Sequence, residues 1–166
     1  VFTIRDVSER EETRERFEGQ LSHQALHDPL TDLPNRTAML EDVSSALSAF
    51  ASDHKHFVLL LCDLDGFQTI NDSLGHDLGD RLLCAVAVRV RSFAASMGGG
   101  AYRSGGDEFV VLLPSSIGET TAMERALGMV QELGEPYEIE GANIFVSASV
   151  GVVSVRDDHS SAEALF

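Results

Sequence analysis

The sequence predicts an α+β plait, a sheet with helices laid against it, and three observations carry the prediction. Amphipathic stretches and short apolar runs follow one another in the order helix, strand, helix, hairpin, helix, hairpin. The run Phe57–Cys62 is continuously apolar, as expected of a central strand covered by other elements. Acids stand where the apolar runs meet solvent: Asp63 and Asp65 follow the first run, while Asp107 and Glu108 precede the second, Phe109–Leu113.

Each element has its own signal. Residues 8–27 are polar, with a sparse apolar stripe at Val7, Phe17, Leu21 and Ala25 compatible with a stalk helix. So narrow a stripe suits pairing with a parallel second copy, the alternative being a solvated connector. Pro29 and Pro34 punctuate the chain, and Asn35 can cap a helix to about Phe50 with Met39, Leu40, Val43, Leu47 and Phe50 inward. Residues 79–95 read as helix through Leu82, Leu83, Val86, Val90 and Phe93. "MGGGAYRSGG" reads as turn-forming, "EFVVLLP" as a strand, and 120–133 as another helix. "YEIEGANIFVSASVGVVSV" reads as a hairpin turning near Gly141 and Ala142.

Composition narrows the function classes. At 166 residues and 43% hydrophobic, the chain can bury one core. A formal charge of −15 opposes a simple nucleic-acid binder, which needs a basic stripe. Lys55 is the sole lysine and lies in "HKHF", so a Gly-Lys-Ser/Thr phosphate loop is excluded. The longest apolar run is too short to span a bilayer and no leader is visible, so a cytoplasmic fragment is expected, without membrane contact. Cys62 and Cys84 sit in apolar patterns and read as core residues of a reduced compartment.

The acids need a reason. If the "SGGDEF" turn lies beside the end of the first strand, Asp63 and Asp107 converge. Two carboxylates about 4 Å apart repel by roughly 4 kcal/mol at an effective dielectric near 20. Mg²⁺ offers the counter-charge, since it takes one or two carboxylates together with water and phosphate oxygens. Gly105 and Gly106 permit the tight turn and close approach of a bulky group. A calcium loop in "DLDGFQTINDSL" fails, because its glycine falls at the fourth position and Leu74 replaces the bidentate glutamate. A merely acidic surface turn is the remaining reading of "GGDE" taken alone.

In order, "HDPLTDLPNR", "DLDGFQTINDSLGHDLGD", "RSGGDEFVVLL" and "VSASVGV" resemble the GGDEF domain family of diguanylate cyclases, from about His27 onward. The spelling is similar to members that precede an EAL phosphodiesterase domain, and "RDVSERE" looks like the end of a PAS sensor domain. The resemblance implies a ferredoxin-like, nucleotide-cyclase-type plait with a mostly antiparallel five-stranded sheet. It implies a PAS-like end and signalling helix over 1–26 and a GGDEF domain over 27–166 lacking its C-terminal helix. It implies condensation of two GTP into cyclic di-GMP and two pyrophosphates by a homodimer using Mg²⁺ or Mn²⁺. Asp63, Asp107, Glu108 and the Leu64 carbonyl are then the metal ligands, with Asp107 and Glu108 catalytic. Asn71 and Asp80 address guanine and sugar, His76 lies in the same region, and Gly66, Phe67 and Gln68 line the phosphates.

Three departures from the family pattern stand out. Gln68 occupies the place of a phosphate-contacting lysine. Ser96 and Gly99 occupy the places of the inhibitory Arg-x-x-Asp, so feedback by product there is expected to be absent. The helix bearing a triphosphate-binding lysine and arginine would follow "SSAEALF". The retained "GGDEF" favours a cyclase; Gln68 favours a catalytically weak GTP-binding module that regulates an attached EAL domain. Asp32, where glycine is usual, is a minor change.

Overall fold

The computed structural model describes residues 23–53, 55–114, 119–155 and 161–166. The proposed stalk therefore lies outside the described residues, apart from a helical turn at 23–26.

The first strand, β1 (Val58–Asp65), organises everything else. It pairs antiparallel on one side with β3 (Glu108–Leu113) and on the other with β6 (Ser147–Ser154). The edge strand β2 (Gly100–Gly105) extends the sheet to the order β2-β3-β1-β6. The α+β class is as expected, but the central sheet has four strands where five were expected. The reason lies in 137–155: β4 (Tyr137–Ile139) and β5 (Ala142–Ile144) pair only with each other, and the chain then leaves that hairpin to join β1 as β6. Glu140 and Gly141 both take positive φ, +52° and +80°, as a two-residue hairpin turn of this hand requires. The stretch expected to be a single hairpin is therefore a short hairpin plus a long strand at the edge of the main sheet.

Both faces of the sheet are covered, which is why β1 reads as an unbroken apolar run. Val58, Leu60, Cys62 and Leu64 join one core cluster, under α3 (His76–Ser96) and α4 (Glu119–Gly134). Leu59 joins the other, under α1 (Arg36–Asp53) through Met39, Val43 and Phe50. Leu59 and Leu60 are fully buried, each stabilising the fold by about 1.5–3 kcal/mol. Along the second face the register continues past Leu61 to Asp63 and Asp65, which emerge from the sheet as exposed acids. Asn35 caps α1 as anticipated, its Oδ1 accepting from the Thr37 and Ala38 amides at 2.9 and 3.2 Å.

The glycine-rich segment 97–106 divides into a helix stop and a strand. Gly98, at φ +67°, ends α3: the Gly99 amide donates to the Ala94 carbonyl and the Gly98 amide to that of Ala95, a Schellman closure. Gly100–Gly105 is then strand instead of turn, because its backbone pairs with β3 while Ala101, Tyr102 and Arg103 are buried.

Ahead of α1, residues 27–35 form a strap closed by the His27–Pro34 bridge. Asp32 takes φ +56° there, a conformation that favours glycine, though aspartate tolerates it better than most residues. Asp32→Gly is expected to stabilise the fold by less than about 1 kcal/mol, because relief of strain is offset by the freedom of glycine in the unfolded chain. Thermal denaturation should show a rise of roughly 1–3 °C; a fall would mean the Asp32 side chain contributes more than its conformation costs.

Candidate active site

The acids of the two apolar runs meet by strand register. Asp63 lies opposite Glu108, and Cys62 opposite Phe109, so the turn carrying Asp107 lies beside the end of β1. Burial first, then the charges of Asp107 and Asp65, push the Asp63 carboxyl above its ordinary value. The Asp107 charge thus reaches the Asp63 carboxyl. Asp65 differs: the hydroxyls of Ser149 and Ser147 hold its carboxyl below the usual range, Ser149 Oγ donating to Oδ1 at 2.7 Å. An open pocket of about 310 Å³ lies on this face, bordered by Arg36, Asp63, Ser104, Glu108, Glu163 and Phe166.

The donor set tests which ion could bind. The side chain of Leu64 is buried in the core, leaving only its backbone to contribute. Asp107 is half-buried and Glu108 exposed. Among the described residues no three His, Cys, Asp or Glu side chains form a ready metal cage. Two neighbouring carboxylates without a nitrogen or sulfur ligand suit a hard cation that keeps water and takes phosphate oxygens, which describes Mg²⁺ or Mn²⁺.

Directly after β1, Gly66 turns the chain at φ +69° into α2 (Phe67–Leu74). No side chain caps that end, so the first-turn amides at Phe67 and Gln68 are free to face an anion. The Gln68 side chain does not face the same way: its Nε2 donates to Asp72 Oδ1 at 2.9 Å. Farther along α2, Asn71 packs against α3, and a Cβ on Gly79 would lie 1.8 Å from Asn71 Oδ1. Asn71 is thereby brought beside the Gly79–Asp80 corner, with Asp80 itself exposed. Asn71 Oδ1 is buried and, among the described residues, has no hydrogen-bond partner. His76, the first residue of α3, is exposed at the other end of that turn.

The sequence reading gave no role to Arg103, Asp28 or Arg36, although their motifs were noted. Arg36 Nη1 donates to Ser104 Oγ at 3.4 Å from the first turn of α1, at the pocket rim. Arg103 is a charged residue inside a buried strand, two residues before a glycine pair, and that was the available signal. Its partner Asp28 lies 75 positions away and carried none.

The chain is thus an α+β domain whose antiparallel sheet carries neighbouring carboxylates at one strand end, leading straight into an uncapped helix N-terminus. The chain belongs to the GGDEF family: the profile "Diguanylate cyclase, GGDEF domain" matches residues 25–166. It is 38% identical over 143 residues to the bifunctional diguanylate cyclase/cyclic di-GMP phosphodiesterase MucR of Pseudomonas aeruginosa, covering 86% of this chain and 21% of that protein. It is 34% identical over 163 residues to the diguanylate cyclase DgcN of Escherichia coli, covering 96% of this chain and 39% of that one. The crystal structure of the coiled coil and GGDEF domain of DgcB from Caulobacter crescentus, in complex with c-di-GMP, superposes with a TM-score of 0.83. Its identity is 25%, covering 96% of this chain and 83% of that one. A sensory box/GGDEF family protein from the same organism gives 0.77 at 33% identity, covering 84% and 90%. The chain spans about a fifth to two-fifths of the length of these two curated relatives. No helix among the described residues is long and apolar enough to cross a membrane.

Proposed function

We propose that this domain condenses two molecules of GTP into cyclic di-GMP with release of two pyrophosphates, each GTP held by one protomer of a homodimer. The observation that carries the reading is the strand register that sets Asp63 opposite Glu108 and beside the turn carrying Asp107, a gathering of acids that a cation would neutralise. Asp63, Asp107 and the Leu64 carbonyl would hold Mg²⁺ or Mn²⁺, with Glu108 a further ligand. When bound, such an ion neutralises phosphate charge and acidifies the nucleophilic hydroxyl. The first-turn amides of α2 receive phosphate oxygens. Asp80 accepts from the paired N–H donors of guanine, and the Asn71 amide addresses the base from the same region. The 3′-oxygen of one GTP attacks the α-phosphorus of the other, its proton passing to Asp107 while the bond to pyrophosphate breaks. A second, reciprocal attack closes the ring.

A second reading has its own observation. Gln68 brings no charge to the phosphates and is turned to Asp72, which suits a catalytically weak GTP-binding module that regulates an attached EAL domain. Incubating the full-length protein with GTP and Mg²⁺ separates the two: cyclic di-GMP supports the cyclase, and GTP bound but unconverted supports the regulator. Gln68→Lys is expected to raise turnover by about tenfold, in line with one charge-assisted contact. An unchanged rate would show that this position is not limiting.

Product feedback through 96–99 is not expected. Ser96 Oγ is committed to the Phe93 carbonyl at 2.7 Å, and a Cβ on Gly99 would lie 2.5 Å from the Leu112 carbonyl.

A further inference from the structure

Arg103 is the buried charge that the proposed chemistry leaves unused. It is 9% exposed, and a guanidinium so placed is tolerated only if its N–H groups are taken up. They are. Nη1 donates to Asp28 Oδ1 at 2.7 Å, while Nε and Nη2 both donate to the Gly106 carbonyl, at 3.1 and 2.6 Å. That carbonyl belongs to the peptide bond whose nitrogen is Asp107. Gly105 and Gly106, at φ +146° and +53°, have no side chains to fix this plane, and among the described residues the guanidinium supplies both hydrogen bonds that the carbonyl receives.

The other end of the clamp is equally built. Asp28 Oδ1 also accepts from the Thr31 amide at 2.9 Å and the Thr31 hydroxyl at 2.7 Å. Burial alone would raise the Asp28 carboxyl, but the Thr31 and Arg103 contacts outweigh it and hold the group below its ordinary value. The backbone ties the same parts, the Arg103 amide donating to the Pro34 carbonyl at 2.9 Å. The strap at 27–35 is thus bolted to the turn that presents Asp107.

Resting on the cyclase reading, we propose that Arg103 is a positioning residue for Asp107: it holds the Gly106 peptide in place, with Asp28 and Thr31 anchoring it to the strap. The base-binding residues on α2 and α3 lie outside this clamp. Loosening it therefore lowers kcat and raises the half-saturating Mg²⁺ concentration while leaving KM for GTP nearly unchanged. Arg103→Lys keeps the charge but cannot grip one carbonyl with two N–H groups and reach Asp28 as well.

The test measures kcat, KM, the half-saturating Mg²⁺ concentration and Tm for the full-length protein carrying Arg103→Lys, Asp28→Asn, or both. Expected are a fall in kcat of roughly 10- to 100-fold, an order suited to a small misplacement of a catalytic group, and less than about threefold change in KM. The double variant should be no worse than the worse single one, because both changes break the same clamp. Thr31→Val should lose kcat and Thr31→Ser keep it, which carries the test if Arg103→Lys fails to fold. Unchanged kcat and Mg²⁺ dependence in folded variants, or a rise in KM alone, would overturn the proposal. If the wild-type protein makes no cyclic di-GMP, the cyclase reading falls separately. The clamp is then tested by the Mg²⁺ concentration needed for GTP binding: a higher requirement in Arg103→Lys supports it, an identical one refutes it.

Discussion

Asp107→Ala is expected to reduce cyclic di-GMP formation by at least about 10³-fold, the scale seen when a member of a catalytic set is removed. The structure gives this loss a particular profile. Asp107 lies in the turn beside the end of β1, where its charge helps raise the Asp63 carboxyl. On the proposed function, removing it deletes a cation ligand and the acceptor for the 3′-hydroxyl proton, but no core contact. The metal-free variant should therefore melt no lower than wild type, since one of two repelling acids is gone. Mg²⁺ should raise its Tm much less than that of wild type, because stabilisation by a ligand follows its affinity for the folded state. Thermal melts with and without Mg²⁺, alongside product assays, check both parts. Wild-type turnover in the variant would remove Asp107 from the mechanism.

Gly79→Ala carries the second large effect, on substrate recognition. The added methyl would lie 1.8 Å from Asn71 Oδ1 and 3.3 Å from Phe67 Cζ. Asn71 can yield by rotating, because the offending atom ends a flexible side chain. The fold should then survive almost intact, helped by alanine's preference of up to about 1 kcal/mol over glycine inside a helix. What is lost is the placement of the Asn71 amide beside Asp80. GTP affinity is expected to fall by about tenfold, as for one lost hydrogen bond to a buried polar group, with Tm changed by no more than about 3 °C. Titration with GTP and Mg²⁺ measures it. Wild-type affinity would show that Asn71 does not contact the base; a large fall in Tm would mean Gly79 serves packing first.

Both predictions draw on features of unequal legibility. The unbroken run Phe57–Cys62 announced a covered central strand, and the acids flanking it and Phe109–Leu113 announced that the two acidic strand ends could meet, because these signals are local. Strand β2 was harder to see, its glycines reading as turn, although an edge strand with one paired side tolerates them. The break between β5 and β6 was hidden in continuous β-forming sequence, because the choice of partner for 147–154 is made by β1, more than eighty residues earlier. The Arg103–Asp28 clamp was beyond reach for the same reason. A salt bridge spanning 75 positions leaves no periodicity, and neither HDPLT nor RSGGDEF names the other. Gln68 was visible as a departure, but its turn toward Asp72 is a matter of rotamer.

The closure of α3 at Gly98 and Gly99 bears on how such a domain could change over evolutionary time. An arginine at position 96 is one substitution away, at an exposed position. An aspartate at 99 meets the Leu112 carbonyl, so the second half of a self-limiting brake cannot be added until the joint between α3 and β2 is rebuilt. Descendants of this sequence would more readily adjust their output by altering synthesis than by acquiring a brake of that design.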